Sequence, residues 1–193
     1  SELVRQCINF EPSVLVLMDI SELNLFQIDR ELNSINSNIL FKPVLSDIRD
    51  SSIIDKIFNE FKPQVVFHAA AYKHVPMQEY FPSEAVKTNV FGTFNLSEAS
   101  VKYDVEKFVL VSTDKAVKPT NVMGATKRLA EMITQKYNRA DSTTEFMAVR
   151  FGNVLGSSGS VIPIFQEQIK NGGPVTVTDP DMERYFMSIP EAS

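Results

Sequence analysis

Residues 14–18 (VLVLM), 39–45 (ILFKPVL), 65–68 (VVFH), 108–111 (FVLV) and 145–150 (EFMAVR) are short, mostly apolar runs rich in β-branched residues. Such strands offer no polar face to water, so they must be covered on both sides, as happens in a parallel sheet under helices. Amphipathic or helix-forming stretches separate them, at about 21–34, 51–61, 82–101 (with Pro82 in the first turn) and 123–138. This regular alternation predicts an α/β fold with a doubly wound parallel sheet. Residues 1–9 also read as helix, with Leu3, Val4, Cys7 and Ile8 on one side, but without a cap or a preceding strand.

In such a sheet, ligands sit beyond the carboxyl ends of the strands, so polar or very small residues there are candidates for function. The 14–18 run ends in Asp19, where a carboxylate would accept hydrogen bonds from the ribose hydroxyls of NAD. Asp19 also suits the start of the next helix, with Ser21 as a rival cap. Asp47 and Ile48 end the next strand, where an adenine ring would lie; Asp50 as a plain helix cap is the competing reading. Ala69, Ala70 and Ala71 follow the third strand with nothing beyond Cβ, which would let a flat cofactor approach the backbone, or a helix pack closely. The expected opening strand and G-x-G-x-x-G turn are missing. Five of the seven glycines (Gly152, Gly156, Gly159, Gly172 and Gly173) crowd a loop-rich stretch after residue 151, interrupted by a helix over 161–170. Both ends of the chain read as cut. Residues 1–150 are then a dinucleotide-binding domain without its first strand and glycine loop, and 151–193 the start of a second part.

The net charge of −5, with acidic and basic residues interspersed, leaves no footprint for nucleic acid. The lone Cys7 excludes an internal disulfide and reads as a small packing residue. One Cys and two His without ligand spacing predict no metal site. No apolar run approaches the ~20 residues needed to span a bilayer.

The most specific stretch is 108–127, FVLVSTDKAVKPTNVMGATK. A buried strand breaks into Ser112, Thr113, Asp114 and Lys115, and a helix follows with Met123 and Lys127 stacked one turn apart. Short-chain dehydrogenases/reductases carry Ser/Thr at this strand end and Tyr-x-x-x-Lys on the next helix. Here Met123 stands in the Tyr position, and a thioether cannot shuttle a proton. Either the site is dead or Asp114 and Lys115 have taken over acid–base work, unless they are an exposed pair capping a loop.

Four segments, 68–79 (HAAAYKHVPMQE), 111–128 (VSTDKAVKPTNVMGATKR), 150–163 (RFGNVLGSSGSVIP) and 178–189 (TDPDMERYFMSI), closely resemble nucleotide-sugar 4,6-dehydratases of bacterial polysaccharide and glycan biosynthesis. These are extended short-chain dehydrogenases acting on UDP-N-acetylglucosamine, and Met123 resembles the large membrane-anchored branch. The resemblance implies tightly held, recycled NAD (or NADP) and no metal. It places Asp19, Asp47 and Ile48 at the adenosine half, Ala69, Ala70 and Ala71 along the cleft, and Lys127 at the nicotinamide ribose. Thr113, Asp114 and Lys115 become the catalytic group, with Met123 in the site as the branch marker. Lys73, His74, Arg150, Asn153, Ser160 and Val161 border the UDP-sugar. Arg184 sits in a segment the family usually reads as TRYFM, from which Glu183 departs. The resemblance further implies a homo-oligomer in the cytoplasm, held to the inner membrane only through an N-terminal region not in this sequence. The implied reaction removes water across C5 and C6: hydride leaves C4 for NAD, Lys115 takes the C5 proton, Asp114 protonates the departing hydroxyl, and the hydride returns to C6. A UDP-sugar 4-epimerase and a non-catalytic NAD sensor are the rival readings.

Overall fold

The computed structural model describes residues 2–35, 38–138, 142–156, 161–177, 179–181, 183 and 185–192. Helix α1 (Glu2–Ile8) leads to β1 (Val14–Asp19), α2 (Glu22–Asn33), β2 (Leu40–Leu45), α3 (Ser51–Phe61) and β3 (Val65–His68). Local chemistry sets these boundaries. Ser21 caps α2 by accepting the Asn24 N–H at 3.3 Å, and Asp50 caps α3 by accepting from Ser52 and Ile53 N–H at 3.0 and 3.2 Å. Lys62 ends α3 in the left-handed region (φ 42°), donating its N–H back to Phe58 O.

A short helix the sequence did not announce, α4 (Val75–Tyr80), follows β3. The single helix expected over 82–101 is broken into α5 (Pro82–Ala85), a π-helical turn (Val86–Phe91) and α6 (Gly92–Lys102). That wider turn coincides with Asn89, whose side chain is buried and bonded to groups outside the helix. Next come β4 (Lys107–Thr113), a 3-10 turn (Asp114–Ala116), α7 (Val122–Tyr137), β5 (Glu145–Phe151), β6 (Asn153–Val154), α8 (Val161–Lys170) and β7 (Phe186–Met187).

All strand pairs are parallel, as the apolar runs require. Among the described residues they form β1–β2, β3–β4–β5 and β6–β7 rather than one continuous sheet. The sequence β2-β1, break, β3-β4-β5 follows the six-position order 3-2-1-4-5-6 of doubly wound sheets, with the break at position 1. Pro43, which has no N–H to donate, lies in β2, whose one described partner is β1.

Two apolar clusters hold these pieces. The larger joins Ile54 and Phe58 of α3, Leu96 and Ala99 of α6, Phe108 and Leu110 of β4, Ala130 of α7 and Phe146 of β5. Burying one such Phe or Leu contributes ~1.5–3 kcal/mol. The smaller joins Leu17 with Leu25, Ile28 and Leu32 of α2, and Val4 and Ile8 of α1 pack against it. That contact, with the Arg5–Glu31 pair at 2.5 and 2.8 Å, anchors α1 despite its missing cap. Cys7 is half-buried and burial raises its thiol pKa, as suits a packing residue.

Candidate active site

Side chains alternate across a strand, so consecutive residues at the end of β4 serve different faces. Phe108, Leu110 and Ser112 point inward. Ser112 Oγ donates to Glu131 Oε1 on α7 at 2.6 Å. Thr113 faces the other way, and its Oγ1 donates to Asp114 Oδ1 at 2.8 Å. The chain then tightens into the 3-10 turn, with Thr113 Oγ1 accepting the Lys115 N–H. Lys115 Nζ lies 3.1 Å from Asp114 Oδ1 and 3.1 Å from Asn153 Oδ1. Thr113, Asp114, Lys115 and Asn153 thus converge from two segments 38 residues apart. Burial pushes the Asp114 carboxyl up, but the Thr113 and Lys115 hydrogen bonds and the Lys115 charge outweigh it and keep Asp114 below the usual carboxylate range.

Helix α7 carries the second group. Asn121 caps it by accepting the Gly124 N–H at 2.8 Å. Met123 and Lys127 share its buried face. Lys127, only 5% exposed, donates from Nζ to Val111 O at 2.7 Å. Burial pushes its pKa down to about 8, opposed by the Glu131 charge. Met123 is buried, and its carbonyl accepts from Thr126 Oγ1. Gly124 packs directly on the candidate catalytic turn: a Cβ there would sit 2.3 Å from Lys115 O.

Beyond β3, Ala69 and Ala70 are exposed and Ala71 half-buried. Ala71, Tyr72, Lys73 and His74 join Met77, Gln78, Phe81 and Glu84 around a cavity of about 470 Å³. Behind it His68 is fully enclosed, with Nε2 2.8 Å from Thr93 Oγ1. Burial drives its pKa down to about 3, with the Lys127 charge adding to the effect, so the ring is neutral.

Several expected site residues prove to be engaged within the fold. Ile48 turns its side chain into the core, against Gly92, and its carbonyl accepts from Asn95 Nδ2 at 3.0 Å. Asp47 accepts from Arg49 N at 2.9 Å and Arg49 Nε at 2.6 Å. Asp19 accepts from Ser21 N and Asn24 Nδ2, so it and Ser21 both serve the start of α2. Arg150, expected beside the sugar, grips Glu131 through a fork at 2.7 and 2.6 Å. Ser160 and Arg184 lie outside the described residues, as does the Val161 side chain.

Two residues escaped the sequence reading. Glu131 is 1% exposed, and its pKa falls to about 2, chiefly through Arg150, with burial opposing and Ser112 and Arg128 helping. Its position four after Lys127 on the buried face was the available signal. Asn89 was hidden inside an apparently ordinary helix. Among the described residues, no His/Cys/Asp/Glu group could hold a metal ion, and no helix is long and apolar enough to cross a membrane.

A parallel α/β sheet with Ser and Thr at the end of β4 and a buried Lys on the following helix defines a Rossmann-type short-chain dehydrogenase/reductase. DesIV, a dTDP-glucose 4,6-dehydratase from Streptomyces venezuelae solved with NAD and TYD, shares this fold at a TM-score of 0.79 and 22% identity, over 97% of this chain and 64% of that one. The chain belongs to the polysaccharide biosynthesis protein family, which it matches over residues 1–193. It is 54% identical over its whole length to the capsular polysaccharide biosynthesis protein CapD of Staphylococcus aureus, of which it spans 32%. It is 41% identical over 90% of its length to a UDP-glucose 4-epimerase of Rickettsia canadensis, of which it spans 52%. The chain therefore covers between a third and about half of these curated relatives.

Proposed function

We propose that the chain forms the catalytic part of an NAD-dependent lyase that dehydrates UDP-N-acetylglucosamine to a UDP-4-keto-6-deoxy-N-acetylhexosamine for capsule or related polysaccharide synthesis. In this reading residues 1–150 bind the dinucleotide, and 151–193 belong to the nucleotide-sugar part. The observation that carries it is the convergence of Thr113, Asp114, Lys115 and Asn153 at the end of β4. An elimination across C5 and C6 needs a base and an acid side by side there; an epimerisation at C4 moves the C4 hydroxyl proton but needs no acid–base pair at C5 and C6.

The exposed Ala69 and Ala70 backbone at the end of β3, Asp19 at the end of β1 and Lys127 on α7 fit a dinucleotide, with Lys127 at its nicotinamide ribose. NAD bound there would supply the oxidant, taking hydride from C4 and returning it to C6 once water has left. The ketone in between would acidify the C5 proton, which Lys115 would later give back to C5. The proton the C4 hydroxyl releases would replace the one Asp114 gives to the leaving water. Thr113 holds the C4 oxygen, Lys115 removes the C5 proton, and Asp114 protonates the departing C6 hydroxyl. Asp114 is ionised in the free site, so the pair first passes a proton from Lys115 to Asp114 across their 3.1 Å contact. The ion pair then becomes a neutral pair, which a substrate that excludes water favours. Asn153, by accepting from Lys115 Nζ, aims the base.

The test is Lys115→Ala in the intact protein, meaning this chain with whatever flanks it naturally. UDP-N-acetylglucosamine binding should persist while 4-keto product disappears; substantial turnover by the variant would remove Lys115 as the base. The similarity to the Rickettsia protein keeps epimerisation as the second reading. Incubation of the unmodified protein with UDP-N-acetylglucosamine separates the two, since dehydration gives a 6-deoxy-4-keto sugar and epimerisation gives UDP-N-acetylgalactosamine. A non-catalytic NAD sensor would give neither.

A further inference from the structure

After β5 the chain changes partners at a single residue. Phe151, which ends β5, is registered against Thr113 of β4. Asn153, two residues on, opens β6 and is registered against Phe186 of β7. Gly152 alone lies between the two ladders. The Asn153 N–H donates to Tyr185 O at 3.0 Å and the Leu155 N–H to Met187 O at 2.9 Å, which seats β7 alongside β6.

Gly152 permits that seat. A Cβ there would lie 2.7 Å from Tyr185 O and 3.4 Å from both Tyr185 C and Tyr185 Cβ. The closest neighbour is backbone, which cannot swing aside as a side chain can, so a larger residue must push β7 off β6. On its other side, Asn153 Oδ1 accepts from Lys115 Nζ at 3.1 Å. Among the described residues, this is the one acceptor that Lys115 Nζ meets outside its own turn; the other is Asp114. The described β6 and β7 form a sheet of their own, apart from β3–β4–β5. Asn153 is therefore placed by Phe151 on one side and by β7 on the other.

We propose that β7 positions Asn153 against Lys115, and that Gly152 is the positioning residue through which it does so. In the reading above, residues 185–187 belong to the nucleotide-sugar part, so the part that meets the sugar also aims the base. Only the kinetic side of this proposal rests on the dehydratase reading.

Gly152→Ala, Leu155→Pro, Asn153→Ala and the double variant Gly152→Ala/Asn153→Ala are compared with the unmodified intact protein. The readouts are hydrogen exchange, acetylation of Lys115 by acetic anhydride followed by peptide mass spectrometry, and kcat and KM on UDP-N-acetylglucosamine. In Gly152→Ala the Asn153 and Leu155 amides should exchange about tenfold faster or more while β4 amides keep their protection. Lys115, short of one charged hydrogen bond, should acetylate at least about threefold faster. Its kcat should fall about tenfold or more. Asn153→Ala should show the same faster acetylation with Leu155 exchange still slow. Because Gly152 acts through Asn153, the double variant should keep a kcat within about twofold of Asn153→Ala alone. Leu155→Pro removes the N–H that bonds Met187 O, so it should also speed Asn153 exchange and Lys115 acetylation. It carries the test if Gly152→Ala does not fold. Unchanged Asn153 exchange in Gly152→Ala overturns the seat. Faster exchange with unchanged Lys115 acetylation makes the β6–β7 pairing merely structural and overturns the positioning role, as do kcat losses that multiply in the double variant. If the unmodified protein does not act on UDP-N-acetylglucosamine, the dehydratase reading fails, while exchange and acetylation still decide the role of β7.

Discussion

Replacing Gly124 by Ala sets two effects of known direction against each other. In a helix interior Ala is more favourable than Gly by roughly 1 kcal/mol, which is an upper bound for Gly124 in the first turn of α7, so propensity alone would stabilise the variant. The new Cβ, however, would lie 2.3 Å from the carbonyl oxygen of Lys115, 3.2 Å from its carbon and 3.2 Å from Pro119 Cβ. Its closest neighbour is backbone, not the tip of a flexible side chain, so the helix start and the 3-10 turn must separate by roughly 1 Å to reach a tolerable contact. Overpacking of this kind costs about 1–3 kcal/mol, which cancels or exceeds the propensity gain. The displaced residue is the proposed base, and an error of about 1 Å at a reacting group can cost on the order of 100-fold in rate. Gly124→Ala should therefore melt within a few degrees of the parent and form 4-keto product about 100-fold more slowly. Gly92→Ala serves as the comparison, because the three atoms nearest its Cβ all belong to the buried Ile48 side chain, at 2.4 Å from Cδ1 and 2.7 Å from Cγ1, so it should destabilise the core without displacing Lys115. Circular dichroism melts and product formation followed by chromatography read both variants. A Gly124→Ala protein with higher melting temperature and near-parental turnover would refute the reasoning.

Two further outcomes follow from the buried charges. His68 has a folded pKa of about 3 against an ordinary 6.5, so between these values the unfolded chain takes up a proton that the native state refuses. Its contribution is complete above pH 6.5 and is lost as pH falls toward 3, at about 1.4 kcal/mol per unit. His68→Gln keeps a donor for Thr93, so urea melts should show it losing about 2 kcal/mol less than the parent between pH 7 and 5; equal losses would contradict the buried, neutral ring. Arg150→Ala should destabilise by about 2–3 kcal/mol, since it strips a forked, charged hydrogen bond from buried Glu131, while sugar KM stays nearly constant. A large rise in KM with unchanged melting would return Arg150 to the substrate pocket.

Much of the fold could be read from residue pattern because the relevant forces are local or averaged. Helices 51–61 and 161–170 and strand 65–68 emerge at the predicted boundaries, set by Asp50 and by apolar periodicity. The clustering in the candidate catalytic turn was legible for a similar reason: Thr113, Asp114 and Lys115 are adjacent, so sequence proximity guarantees spatial proximity. What stayed hidden are the contacts that a long-range partner decides. Arg150 looks like any exposed cation until Glu131 is placed beside it, and Ile48 like a strand-end residue until α6 covers it. Asn89 breaks a helix that composition would have left whole, because what holds it lies 17 and 37 residues away.

The alternation along the end of β4 has one more consequence. Ser112 spends its hydroxyl on the fold and Thr113 spends its hydroxyl on the candidate chemistry, though they differ by a single methyl group and a single position. A strand mispaired by one residue exchanges their faces. Such a chain would cost the Glu131 carboxylate its Ser112 partner and misplace the candidate catalytic turn together. Under the proposed function, one register error in the central strand therefore costs stability and chemistry at once, and a slipped conformer could not persist as a weakly active variant.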